Sequence, residues 1–287
     1  MTLDGKLAII GGSGINDSPE FQDAEWQIFE TLHSNGFGNG RVEYQEFDGV
    51  IFIPRHGRHE TVRHSPSTTQ YGANLIAARM LGATTVVAFS CVGSLTPFMP
   101  VKEIVIPVDY IDESRRDDNL FGVGLVVHAN PNPPFSEGLK KILFTQAAQC
   151  FPSVSTGVYV TIPGDRFGTA AEGTKRAQYA HIVGMTLCPE ASMAMQLGLH
   201  YACAAFVVDM NTDANHEGET VRIMHEMGPV VQRYVHELVP PAKEFARDPP
   251  KLVQLVGNII PGKMERVPGY CPALRQIAEE LVQKYCA

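Results

Sequence analysis

The chain has 287 residues, 44% of them hydrophobic and 19% charged, enough for one large or two ordinary domains with a substantial core. Its formal net charge of −8 gives nucleic acid and anionic membrane surfaces nothing to bind, so neither is an expected partner. No stretch approaches the ~18 uninterrupted apolar residues of a membrane span, and the start Met1–Lys6 lacks the basic and apolar regions of a secretion signal.

Six cysteines (Cys91, Cys150, Cys188, Cys203, Cys271, Cys286) are scattered without CxxC or short Cys–His spacing. They read as reduced thiols, without a zinc site, in a cytoplasmic protein. In chain order, Lys6–Ile10 is a short apolar strand stopped by Gly11-Gly12-Ser13-Gly14. Arg41–Phe47 and Gly49–Ile53 predict a hairpin about Asp48-Gly49. Ser67–Leu81 has helical apolar spacing, with Ser67 or Thr68 as N-cap. Thr84–Phe89 reads as a buried strand ending at Ser90-Cys91-Val92-Gly93-Ser94, and Lys102–Ile106 as another. Residues 112–121 are polar loop and 130–134 a proline-rich one.

Helices are expected over Ser136–Gln149, Thr169–Ala180, Glu190–Gly198, Thr220–Leu238 and Leu274–Tyr285. Strands are expected over Gly157–Ile162, Ile182–Thr186 and Tyr201–Val208. Strands alternating with helices predict an α/β fold: a single domain over 1–287 with a central mixed β-sheet flanked by helices. Residues 241–273 read as an irregular C-terminal excursion.

Several strand ends carry chemistry. Gly11–Gly14 either cradles a phosphate through backbone N–H groups, helped by the Ser13 hydroxyl, or is a tight turn. It lacks the third glycine of a dinucleotide fingerprint, and no P-loop is present. Residues 55–64 hold three Arg and three His, either an anion site or a solvated loop; Arg58, Arg63 and His64 read as facing water. Ser90–Ser94 suits a backbone-lined floor, with Cys91 as a packed thiol rather than a nucleophile. Gly184-Met185-Thr186 pairs an apolar side chain for a sugar with a hydroxyl for an anion, and Glu190 reads as a helix first-turn carboxylate. Phe167 is either core or a stacking plate for a planar base. Asp209-Met210-Asn211, after a buried strand, puts an acid and a carboxamide where an open α/β sheet binds ligands. Such a pair suits a purine, which needs a proton placed at N7 and a partner at its 6-position.

Taken in order, these motifs resemble the nucleoside phosphorylase family, most closely its methylthioadenosine phosphorylase branch. The matching residues are Ile9–Gly14, Pro54–Gly57, Ser65-Pro66-Ser67 with Tyr71–Asn74, and Gly93-Ser94-Leu95. Further along come His128 with Pro134-Phe135, Arg166-Phe167, Gly184–Thr186 with Pro189-Glu190, and Asp209. The resemblance covers about residues 6–240. It implies a trimeric enzyme in which inorganic phosphate, as co-substrate, attacks C1′ of a purine nucleoside without metal or cofactor. Carried over, Ser13, Arg55, His56, Ser90, Cys91 and Thr186 hold phosphate. Val92, Gly93, Met185 and Phe167 line the nucleoside, Val221 and Met224 an apolar 5′ pocket, and His128 reaches the neighbouring subunit's site. Asp209 is the acid that protonates the leaving base, which requires burial to raise its pKa; Asn211 reads the base beside it.

The sequence departs from that pattern in three places. The usual Glu-Gly-Pro before Arg-Phe is Pro163-Gly164-Asp165, the usual Ser after Phe is Gly168, and the second Asp of the adenine-reading pair is Asn211. An Asn turns either its NH₂ to a 6-oxo group or its oxygen to an amine. The expectation is therefore action on 5′-methylthioadenosine with relaxed base choice. The alternatives are a phosphorylase for inosine, guanosine or methylthioinosine, and a weakly active nucleoside-binding protein.

Overall fold

Eleven strands and six helices carry the described residues of the computed structural model, which are 5–12, 15, 21, 23–30, 40–58, 60–121, 125–210, 219–251, 259–261 and 272–286. Ser13 and Asn211 lie outside them. The strands are β1 (Lys6–Gly11), β2 (Trp26–Glu30), β3 (Arg41–Phe47), β4 (Val50–Pro54), β5 (Ala83–Ser94) and β6 (Ile104–Asp112). They continue with β7 (Leu125–Val127), β8 (Val154–Thr161), β9 (Ile182–Gly184), β10 (His200–Met210) and β11 (Ile259–Pro261). The helices are α1 (Tyr71–Met80), α2 (Glu137–Cys150), α3 (Ala170–Arg176), α4 (Glu190–Gln196), α5 (Glu219–Arg247) and α6 (Pro272–Cys286).

Nine strands form one mixed sheet in the order β10-β6-β8-β9-β5-β1-β4-β3-β2, and β10 also pairs with β5. That extra pairing closes β5, β10, β6, β8 and β9 into a ring. In it β9–β5 and β10–β6 are antiparallel and the other contacts parallel. Strand β1 shows why the sheet is covered on both faces: Ala8 and Ile10 enter one core, Leu7 and Ile9 the other. The first core takes Leu75 of α1, Met193 of α4 and Ile277 of α6. The second takes Leu139 and Leu143 of α2 and Ile223 and Tyr234 of α5. The result is the expected α/β domain, a sheet between two helical layers.

The hairpin forms as predicted. Asp48 (φ 48°) and Gly49 (φ 75°) both adopt left-handed backbone, the turn whose twist suits a two-residue connection, and Phe47 pairs with Val50. Other boundaries differ. Strand β5 does not stop at Phe89 but runs to Ser94, because β10 pairs along it from Thr85 to Ser94 and β9 pairs at Gly93 and Ser94. Helix α1 starts at Tyr71, and neither Ser67 nor Thr68 caps it. Instead the Ser65 carbonyl accepts from the Thr68 and Thr69 amides at 3.1 and 2.9 Å, closing a separate turn.

Helix α5 continues through Pro229, Pro240 and Pro241 to Arg247, so residues 241–247 are helical rather than irregular. Tertiary burial overrides the prolines: Ala242 and Ala246 are fully buried, and the Thr84 hydroxyl donates to the Ala246 carbonyl at 2.6 Å. Within the same expected excursion, β11 pairs with the short β7 as a separate ribbon.

Candidate active site

Strands β4, β1, β5 and β10 run parallel, so their carboxyl ends share one edge of the sheet. A cavity of about 270 Å³ opens there. Its wall takes Gly12 after β1, Arg55 and His56 after β4, Ser90–Gly93 within β5, and Met185 and Thr186 after β9. Phe206, Val208 and Asp209 of β10, Thr220 and Met224 of α5, and Pro66 and Phe167 complete it.

The polar part of this wall is buried and cross-linked. Arg55 is 2% exposed; its Nε and Nη2 donate to Glu190 Oε2 and Oε1 at 2.7 and 2.9 Å, and Nη1 to the Phe89 carbonyl at 2.6 Å. Burial works against the charge, but Glu190 outweighs it and holds the Arg55 pKa above the ordinary arginine value. Glu190 is the first residue of α4, as expected, yet it is fully buried, and Tyr201 also donates to its Oε1 at 2.9 Å. A Cβ on Gly12 would stand 3.4 Å from Arg55 Nη1, so the chain after β1 passes close beside the guanidinium.

His56 Nδ1 lies 2.9 Å from Thr69 Oγ1. Burial, then the charges of Arg55 and Arg63, depress its pKa to about 3, so the ring is neutral at physiological pH. Its loop therefore separates into two inward residues and an outer remainder. Arg58 departs from the water-facing expectation, packing its guanidinium 4.4 Å above the Trp26 ring.

Ser90 Oγ lies 3.0 Å from the Tyr159 hydroxyl and 3.2 Å from Thr186 Oγ1, so three hydroxyls from β5, β8 and the β9–α4 connection meet at one point. Gly184 makes this possible: a Cβ there would fall 1.9 Å from the Tyr159 oxygen. Burial pushes the Cys91 thiol up to about 11, which suits packing and not a nucleophile.

Asp209 reaches the wall through a bulge. The β10–β5 register runs Val207 to Val92 and then Asp209 to Gly93, skipping Val208. Alternation would send adjacent residues to opposite faces; the bulge lets Val208 and Asp209 both line the cavity. Phe167 is 64% exposed at the rim. Of the two expected α5 residues, Met224 lines the wall, whereas Val221 is 59% exposed and stands off it, the wall residue being Thr220. His128 is not on this cavity but lines a separate one of about 430 Å³ with Tyr110 and Ser192.

Sequence reasoning missed Tyr159, the Glu190–Arg55 pairing and Arg116. Arg116 Nη1 donates to the carbonyls of Met185 and Cys188 at 2.7 and 2.8 Å, and Nη2 to that of Pro163. An arginine pair in a polar loop, Arg115-Arg116, carries no sign of such a role. Among the described residues no cluster of His, Cys, Asp or Glu could hold a metal ion.

The chain is similar to known proteins over most of its length. The chain is 35% identical over 246 residues to an S-methyl-5′-thioadenosine phosphorylase of Thermococcus kodakarensis, covering 83% of this chain and 93% of that one. A counterpart from Rhodospirillum rubrum is 33% identical over 71% of this chain and 70% of its own length. Among solved structures, a methylthioadenosine phosphorylase from an Antarctic soil metagenomic library superposes with a TM-score of 0.77 at 26% identity, covering 98% and 99% of the two chains. A mutant of the adenosine/methylthioadenosine phosphorylase of Schistosoma mansoni, in complex with methylthioadenosine, gives 0.72 at 26% identity, covering 84% and 97%. The sequence model described as the phosphorylase superfamily matches residues 6–241, from β1 into α5 and so through every cavity-lining segment, and the chain belongs to that superfamily.

Proposed function

We propose that the protein cleaves the N-ribosidic bond of a purine nucleoside with phosphate, converting 5′-methylthioadenosine to adenine and 5-methylthioribose 1-phosphate. One observation carries this reading: a single cavity joins the cluster of Arg55, His56, Ser90 and Thr186 to Met185, Phe167 and Asp209. Asp209 pairs with Gly93, three residues beyond Ser90 on β5. At the rise of an extended strand that is about 10 Å, a span that accommodates a ribose between anion and base.

Phosphate binds against the Ser90 and Thr186 hydroxyls, the Cys91 backbone, His56 and Arg55, and Ser13, outside the described residues, is the further hydroxyl assigned to it. Because His56 is neutral, it contributes a hydrogen bond and Arg55 the positive charge. Met185 lies under the ribose, Val92 and Gly93 form the floor, and Phe167 stacks on the base. A phosphate oxygen attacks C1′, the C1′–N9 electron pair leaves with the purine, and Asp209 delivers a proton to N7. The phosphate also offsets the positive charge that develops on the sugar. Inorganic phosphate is the co-substrate, and no metal or organic cofactor enters the scheme.

We infer a homotrimer in which His128, placed away from its own chain's cavity, completes the neighbour's site at the 5′ end of the sugar, near Met224. The setting is purine salvage in the cytoplasm; among the described residues no helix is long and apolar enough to cross a membrane. The test is base release from 5′-methylthioadenosine and from inosine, with and without phosphate. Adenine release that depends on phosphate supports the reading; release independent of phosphate overturns it. Hypoxanthine release alone would favour the 6-oxopurine alternative that Asn211 suggests.

A further inference from the structure

The segment Pro163–Gly168 carries Phe167 and holds two of the three departures from the family pattern that the sequence resembles. Two routes fasten it to the turn Ser65–Ser67 across the cavity rim. In the direct route, Asp165 accepts from the Ser67 amide at 3.4 Å and from the Ser67 hydroxyl. In the indirect route, Arg116 Nη2 donates to the Pro163 carbonyl and Nη1 to the Tyr71 hydroxyl at 3.3 Å, and Tyr71 donates to the Pro66 carbonyl at 2.9 Å. The Arg116 guanidinium also stacks 5.3 Å above the Tyr71 ring.

The backbone is shaped for this contact. Gly164 (φ 92°) and Asp165 (φ 66°) are consecutive left-handed residues, and a Cβ on Gly164 would fall 2.8 Å from Pro66 Cβ. On the far side of Phe167, Thr169 and Glu172 form a capping box at the start of α3, and Arg166 pairs with Glu172 at 2.8 Å. The ring of Phe167 is thus exposed while its backbone is held at both ends.

We propose that Asp165 is a positioning residue. By gripping Ser67, with Arg116 as the second fastening, it sets where the Phe167 ring stands and so tunes affinity for the base. This rests on the reading of Phe167 as the base-stacking plate. Asp165 itself is exposed, so its bond to Ser67 contributes little to global stability. Its effect should appear in nucleoside KM, not in the melting temperature.

The test is a double-mutant cycle between Asp165→Gly and Phe167→Ala; glycine keeps the positive φ while removing the carboxylate. Asp165→Gly should raise nucleoside KM about fivefold to tenfold, within the range of a base–aromatic stack. Phosphate KM and kcat should stay within about twofold. The rise should vanish in the Phe167→Ala background, recur in Ser67→Ala, and be partly rescued by Asp165→Asn, whose amide oxygen still accepts. Additive effects in the cycle, or a fall in kcat at unchanged nucleoside KM, overturn the proposal. Calorimetric binding of adenine to the same four proteins separates the two readings. If the wild type performs no phosphorolysis yet binds adenine, the functional reading falls. An affinity loss on Asp165→Gly that Phe167→Ala abolishes would still sustain the positioning role of Asp165, and unchanged affinity overturns it. A wild type that does neither overturns both.

Discussion

Around Arg55 the cavity wall is buried and cross-braced, whereas around Phe167 it is open and held from behind. At the first end a guanidinium, a carboxylate, a neutral imidazole and three hydroxyls are fixed by bonds that tie strands to a helix and to loops. At the second, an exposed ring and a bulged aspartate stand on strand ends and loops. Under the proposed function, phosphate meets a preorganised frame, whereas the base meets adjustable segments.

The sharpest way to break this comparison is at Asp209. Asp209→Ala should cost about 10²- to 10⁴-fold in kcat, with a smaller change in nucleoside binding. A near-normal kcat would place the acid elsewhere.

Next comes the braced end. Glu190→Gln leaves a buried guanidinium without its counter-charge, for about 3–5 kcal/mol of lost stability in urea unfolding. Replacing Arg55 and Glu190 together by Met should recover most of that stability while phosphate KM stays high. Recovery of both would remove Arg55 from the anion site.

Smaller is Gly184→Ala, which drives a methyl toward Tyr159 and should cost about 1–3 kcal/mol. Adding Tyr159→Phe, which removes the oxygen it strikes, should return part of the loss; no return would mean that the backbone, not the hydroxyl, is displaced. At the adjustable end, Asn211→Asp should shift the adenine-to-hypoxanthine ratio of kcat/KM about tenfold toward the 6-amino base. An unchanged ratio would turn Asn211 away from the base.

A further test is in pH. His56 binds its proton only near pH 3 when folded but at 6.5 when unfolded, so the unfolded chain gains protons first as pH falls. Stability is intact above about pH 6.5 and declines toward pH 3, with a slope of at most about 1.4 kcal/mol per pH unit. Burial also lowers the pKa of His200, which adds in the same direction, so the measurement is wild type minus His56→Gln. A difference that does not change between pH 4 and 7 would mean that His56 titrates normally.

Much of the sheet was legible, because a strand covered on both faces is written as a continuous apolar run, as in Leu7–Ile10 and Tyr201–Val208. Asp48-Gly49 was legible because its turn demands two left-handed residues. What stayed hidden depends on partners far along the chain. The extension of β5 past Phe89 requires β10, and Glu190 finds Arg55 across 135 positions. The proline-bearing end of α5 is held by Ala242 and Ala246 in the core, which local propensity argues against. Strand β2 escaped because most of its residues face outward, and Arg116 because loop arginines seldom bind four acceptors. The site followed the same rule. Residue types at strand ends indicated Arg55, His56, Ser90, Thr186 and Asp209, while the braces behind them left no local mark.

The strand ring has a consequence for how the molecule comes to exist. Its seam between β5 and β10 joins Thr85–Ser94 to residues beyond His200, the kind of distant pairing that is entropically costly and forms slowly. Until β10 is in place, Ser90–Gly93 has no neighbour on that side and Asp209 has no bulge to stand on. The anion end waits as well, because its braces come from Thr186, Glu190 and Tyr201, so in a chain emerging from synthesis ligand cannot template the early sheet. Binding competence should arrive in one late step, with the closing of that seam.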